Sequence, residues 1–232
     1  MQKRRALVGL VVLGLVTVLL AGLALFRSRT VPAAPGGRPT AAAPAVPTGA
    51  SPTRSPGPPR TGGTLVVLGD GHAKDAAWVD QLGQDLGLKV VNLSEEGMGY
   101  RMAPGTCSVN PCRPFAGMAA RVAEANPSAI VVVGSEADGD YALSPFIAST
   151  FAALKKAAPD AEIAALSPLS ARSPRPHWLT LHARSIEKEA AAAGVIWVDL
   201  SAAAGRSSAF DGGHLTAGAG AKVAAIVAAK LQ

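Results

Sequence analysis

Five short apolar runs, each followed by a stretch of helical spacing, constrain this chain more than any other feature. The runs are Leu65–Leu68, Leu88–Leu93, Ala129–Val133, Glu162–Leu166 and Val195–Val198. Short runs of this kind, bounded by glycine or polar turns, read as strands buried on both faces of a sheet. Helices are predicted near 74–86, 114–125, 145–157, 177–193 and 217–231. In the first, Trp78, Val79, Leu82 and Leu86 share one face; in the third, Phe146, Ile147, Thr150, Phe151 and Leu154 do. Strands alternating with helices imply an α/β domain with a parallel sheet covered on both sides and right-handed crossovers. Residues 64–232 are long enough to bury one full core.

The residues before this domain are of a different kind. Lys3, Arg4 and Arg5 precede an uncharged apolar stretch from Ala6 to Phe26, which Arg27 and Arg29 close. Those 21 residues would measure about 31 Å as a helix, enough to cross a hydrocarbon layer of about 30 Å. Residues 1–26 are therefore expected to be a cytoplasmic tip and an uncleaved transmembrane signal-anchor. A cleaved signal peptide, with Ala21-Gly22-Leu23-Ala24 near its site, is the alternative. The basic residues before the span outnumber those just after it, which places the N-terminus in the cytoplasm and the rest outside. Residues 27–63 hold 9 of the 18 prolines and no aromatic residue, the composition of a disordered linker.

Charge follows the same division. Residues 1–63 carry +8 and the remainder −2, so the basic character of the chain belongs to the tail. A nucleic-acid partner would require a basic face on the domain itself, and none is expected. Cys107 and Cys112 flank a short Gly/Pro-rich loop between the second and third strands. Outside the cytoplasm two such thiols are expected to pair as a structural disulfide. Two thiols without clustered histidines make a poor zinc site, so no metal or other cofactor is expected.

Two turns carry the residues with chemical potential. Gly69-Asp70-Gly71-His72 follows the first strand, at the carboxyl edge where ligands of open α/β sheets bind. Asp211-Gly212-Gly213-His214 precedes the last helix, where an Asp can orient a His as in a Ser-His-Asp site. Alone, each reads as an ordinary loop; the topology should bring both to the same sheet edge.

With these residues in place, the sequence from Thr64 to Gln232 resembles the SGNH (GDSL-type) hydrolases, a flavodoxin-like family of esterases, lipases, acyltransferases and carbohydrate deacetylases. Gly69-Asp70-Gly71 stands where the family has Gly-Asp-Ser. Asn92-Leu93-Ser94-Glu95-Glu96-Gly97-Met98-Gly99-Tyr100 is similar to its second block, with Gly97 at the oxyanion position. Gly134-Ser135-Glu136-Ala137-Asp138 is similar to the third block, and Asp211 with His214 to the last. The resemblance implies a three-layer sandwich around a five-stranded parallel sheet in the order 2-1-3-4-5.

The departures matter equally. Gly71 replaces the nucleophilic serine, and Ala137 the asparagine that donates to the oxyanion. Glycine has no side chain with which to form an acyl-enzyme, whereas the backbone N–H groups of Gly71 and Gly97 remain able to bind an oxyanion. The expected ligand is an acyl ester or an O-acetylated cell-envelope glycan, bound with little turnover. A water activated by His214 and Asp211, or an unusual nucleophile among His72, Ser94, Ser135 and Glu136, is the active alternative. A non-catalytic envelope scaffold is a third reading. Trp178 is a candidate pocket wall, whereas Trp78 and Trp197 fit the core.

Overall fold

The computed structural model describes residues 62–108 and 111–232. The expected membrane anchor and nearly all of the linker lie outside the described residues. Among the described residues no helix is long and apolar enough to cross a membrane.

The elements run β1 (Thr64–Leu68), α1 (Ala77–Leu86), β2 (Lys89–Asn92), a 3-10 turn (Phe115–Met118) leading into α2 (Ala119–Glu124), β3 (Ala129–Val133), α3 (Ser144–Ala157), β4 (Glu162–Leu166), α4 (Trp178–Ala193), β5 (Ile196–Val198), α5 (Ser201–Ala204), β6 (Phe210–Asp211), β7 (His214–Leu215) and α6 (Ala217–Leu231). β1 to β5 form one sheet in the order β2-β1-β3-β4-β5, with every pairing parallel. This is the expected topology. All five carboxyl ends therefore lie along one edge, and the order reverses beside β1.

Side-chain alternation along the strands divides the core in two. Leu65, Val67, Val131 and Val133 face α1 and α6, packing with Trp78, Leu82, Val223 and Val227. Val66, Leu68, Ile130 and Val132 face the other way, onto Phe115, Ile147, Phe151 and Ile186. β1 and β3 are buried on both faces, which is why they read as unbroken apolar runs rather than as alternating ones.

Three local expectations need correction. The first helix begins at Ala77, because residues 71–75 form turns closed on the Asp70 carbonyl and Asp75 takes a positive φ of 52°. Phe146, expected on the buried face of α3, is 41% exposed, while Ile147, Thr150, Phe151 and Leu154 are buried. The expected helix over 114–125 opens as a 3-10 turn and becomes α-helical only from Ala119. Trp78 is buried and Trp197 packs at the margin of the core. Cys107 and Cys112 form the expected disulfide in the loop after β2.

Candidate functional site

The turn after β1 is built around Asp70. Its carbonyl accepts the N–H groups of Ala73 and Lys74, each at 2.9 Å, and its Oδ1 accepts the N–H of His72 at 2.9 Å. Burial pushes the Asp70 carboxyl above its ordinary value, against the pull of the neighbouring His72 and the Ser135 hydroxyl; the Glu96 carboxylate adds a smaller upward push. Asp70 is thus a structural centre for the turn. It leaves Gly71 at the sheet edge.

The second block lies beside this turn because β2 pairs with β1. Glu95 donates its N–H to the Gly69 carbonyl at 3.1 Å, and Asn92 reaches across to the Ala73 carbonyl at 2.8 Å. Glu95 is 6% exposed. Burial works to raise its carboxyl, but hydrogen bonds from Lys74 at 2.7 Å and from Ser108 outweigh this and hold it below the usual carboxylate range. The Ser108 contacts connect the disulfide loop to the second block.

Glu96 points the other way. A β-carbon placed on Gly71 would lie 2.8 Å from the Glu96 Cδ and 3.1 Å from its Oε1, so the carboxylate occupies the space where a serine side chain would begin. Glu96 is exposed. No hydrogen bond or ion pair holds its carboxylate among the described residues. Neither Gly71 nor Gly97 donates its N–H to any described residue. Nothing lies within 4 Å of the β-carbon position of Gly97, which leaves that side open.

The third block is organised by Asp138, which is 1% exposed. Its two oxygens accept the N–H groups of Tyr100 at 2.9 Å, Arg101 at 2.8 Å and Met102 at 3.0 Å. Gly99 tolerates this approach only because it lacks a side chain; a β-carbon there would sit 2.5–2.6 Å from the carboxylate. The Ala137 N–H is occupied by the Ser135 hydroxyl at 3.1 Å, so Ala137 offers no side-chain donor and no free N–H.

The last block is a hairpin. Gly212 and Gly213 have φ values of 56° and 89°, the pair of positive angles that a type I′ turn demands. Asp211 and His214 are register partners across it. Both are exposed, and no hydrogen bond joins their side chains among the described residues. Immediately afterwards the Thr216 side chain caps α6 by accepting the Ala219 N–H at 3.3 Å. His214 is thereby fixed just ahead of the helix.

The first and last blocks meet. The His72 ring packs at a tilt against Phe210, with centroids 5.4 Å apart. His72 and His214 line one cavity of about 310 Å³ between α1 and α6, together with Asp75, Trp78, Gln81 and Thr216. Gly71 does not line that cavity. His214 is therefore placed on the His72 side of the first turn, in a cavity that neither Gly71 nor Glu96 lines.

The other candidates are already engaged or buried. Ser94 is buried and its hydroxyl has no described partner. Glu136 pairs with Arg172 at 2.5 Å and accepts the Ser170 hydroxyl. Trp178 is half-buried against His182, with ring centroids 5.0 Å apart. His182 donates from Nε2 to the Tyr141 carbonyl at 3.0 Å, and burial lowers its pKa. Glu96 and Asp138 lie within the second and third blocks, and local sequence assigns neither a role. The usable signal is the Glu95-Glu96 pair immediately before Gly97.

No protein-family model matches the sequence, and no curated protein matches it either. Solved structures do. A protein described as an SGNH hydrolase from Slackia heliotrinireducens is similar at a TM-score of 0.53 and 19% identity, over 74% of this chain and 100% of that one. An arylesterase from Agrobacterium tumefaciens is similar at 0.56 and 16%, over 72% and 97%. A family two carbohydrate esterase from Clostridium thermocellum, solved with cellohexaose, is similar at 0.53 and 12%, over 76% and 65%. At these identities the likeness concerns architecture alone: the chain has the fold of the SGNH (GDSL-type) hydrolases.

Proposed function

We propose that residues 64–232 form an extracytoplasmic domain of the ester hydrolase class that binds an acyl ester or O-acetylated glycan and turns it over slowly, without an acyl-enzyme. In this reading residues 6–26 hold the domain at the membrane and residues 27–63 space it from the surface.

The observation that carries the reading is the pair of N–H groups at Gly71 and Gly97, unengaged among the described residues, with no side chain at residue 71. Donors of that kind accept a carbonyl oxygen as charge develops on it. The absent hydroxyl removes covalent catalysis, and Ala137 removes one oxyanion donor, a loss worth about 10²–10³ in rate. Asp70 shapes the turn that presents Gly71. His214 and Asp211 take no step in this reading: both are exposed on the last hairpin, and His214 lines a cavity that Gly71 does not. The fold neighbours include carbohydrate esterases as well as a lipase and an arylesterase, which keeps both an acetylated glycan and another acyl ester within the reading.

The test uses the full-length chain. Titration with an O-acetylated cello-oligosaccharide, followed by NMR, should perturb the amides of Gly71 and Gly97 and release acetate slowly. A fluorophosphonate probe should leave the protein unlabelled. Labelling of the natural chain at any serine, or no perturbation of those two amides, would overturn the reading.

A further inference from the structure

We propose that Glu96 replaces the missing serine in function as well as in space, acting as the general base that draws a proton from the attacking water. The inference rests on the reading that an ester carbonyl binds at Gly71 and Gly97.

The geometry leads here from three directions. First, the carboxylate occupies the origin of the absent side chain, with its Cδ 2.8 Å from the β-carbon position of Gly71. The carboxylate thus stands about where a serine oxygen would be, and a water hydrogen-bonded to it lies about 2.6–3.2 Å further out, between it and a bound carbonyl carbon. Second, the carboxylate is exposed and unengaged, unlike its neighbour Glu95, which Lys74 and Ser108 hold. Third, Glu96 directly precedes Gly97, so base and oxyanion donor are fixed by the same short turn. The nearby Asp70 cannot take this role, since it is buried and already accepts the His72 N–H.

The step balances without any further reagent. The Glu96 carboxylate takes a proton from water as the water oxygen bonds to the carbonyl carbon. The carbonyl oxygen becomes the oxyanion, held by the Gly71 and Gly97 N–H groups. On collapse the bond to the leaving alkoxide breaks, and the alkoxide takes the proton from the Glu96 carboxylic acid. The products are one carboxylic acid and one alcohol, and the carboxylate is restored.

The experiment compares the full-length chain with its Glu96→Gln and Glu96→Asp variants. Hydrolysis of p-nitrophenyl acetate is measured, and binding of the amide analogue p-nitroacetanilide is followed by NMR. Glu96→Gln should lower the rate by about 10²-fold or more while analogue binding persists, and Glu96→Asp should retain part of the rate. Equal rates in the natural chain and Glu96→Gln would overturn the inference and leave the ester-binding reading standing. So would analogue binding without any hydrolysis by the natural chain. Absence of both binding and hydrolysis would remove that reading and this inference together. Because the side chain is exposed and unpaired, Glu96→Gln is expected to fold normally, which circular dichroism verifies.

Discussion

The Glu96 carboxylate lies against Gly71, filling the volume that a side chain on that residue would need. A side chain on Gly71 would therefore compete with a charged group already there. A serine placed at residue 71 must be accommodated together with Glu96.

Gly71→Ser alone would crowd the carboxylate, although the far end of a flexible side chain can move aside. Gly71→Ser/Glu96→Ala removes the conflict. This double variant should react with a fluorophosphonate probe, seen as a mass increase, while the natural chain does not. An unreactive double variant would mean that the remaining residues do not form a usable serine site.

Asp138 connects the second and third blocks through three backbone N–H groups. Asp138→Ala leaves those donors without their acceptor and should destabilise the domain by about 3 kcal/mol or more. Asp138→Asn keeps one acceptor oxygen and should cost less. Urea denaturation measures both, and a near-neutral Asp138→Ala would contradict the role assigned to the carboxylate.

The raised pKa of Asp70 has a definite sign. The folded state holds its proton more tightly than the unfolded state, where the value is near 3.8. As pH rises from there through the raised native value, the folded chain binds more protons than the unfolded one, so stability falls across that window. Asp70→Asn retains an acceptor for the His72 N–H and carries no charge. It should remove that slope and raise stability at neutral pH relative to the natural chain. Thermal melts between pH 4 and pH 8 measure it; an unchanged slope would show that another group is responsible.

The disulfide closes a five-residue separation, and its loss should cost about 2 kcal/mol in the chain-entropy picture. The effect should also be local. Ser108, next to Cys107, holds Glu95 through its N–H and hydroxyl. Cys107→Ala/Cys112→Ala should therefore speed amide exchange at residues 94–99 before it affects the sheet. Uniform acceleration across the domain would argue against that coupling.

Much of the architecture was legible in residue order. Runs such as Leu65–Leu68 and Ala129–Val133 encode buried strands locally, since each residue must satisfy a two-sided apolar environment. The helix face of Trp78, Val79, Leu82 and Leu86 is equally local, as is the pairing of two cysteines five residues apart. The block landmarks carried the strand order. Local pattern failed where a neighbour overruled it, as at Phe146, which has helical spacing but faces outward.

By itself, then, the sequence determined the alternating elements, the absence of a side chain at residue 71, and the edge on which Gly71 emerges. Only the tertiary structure decided that Glu96 enters the space beside Gly71, that Asp138 gathers three amides from another loop, and that His214 shares a cavity with His72. Periodicity reports which face of an element is apolar. The direction of a polar side chain in a loop depends instead on contacts between segments far apart in the chain, which no local pattern records.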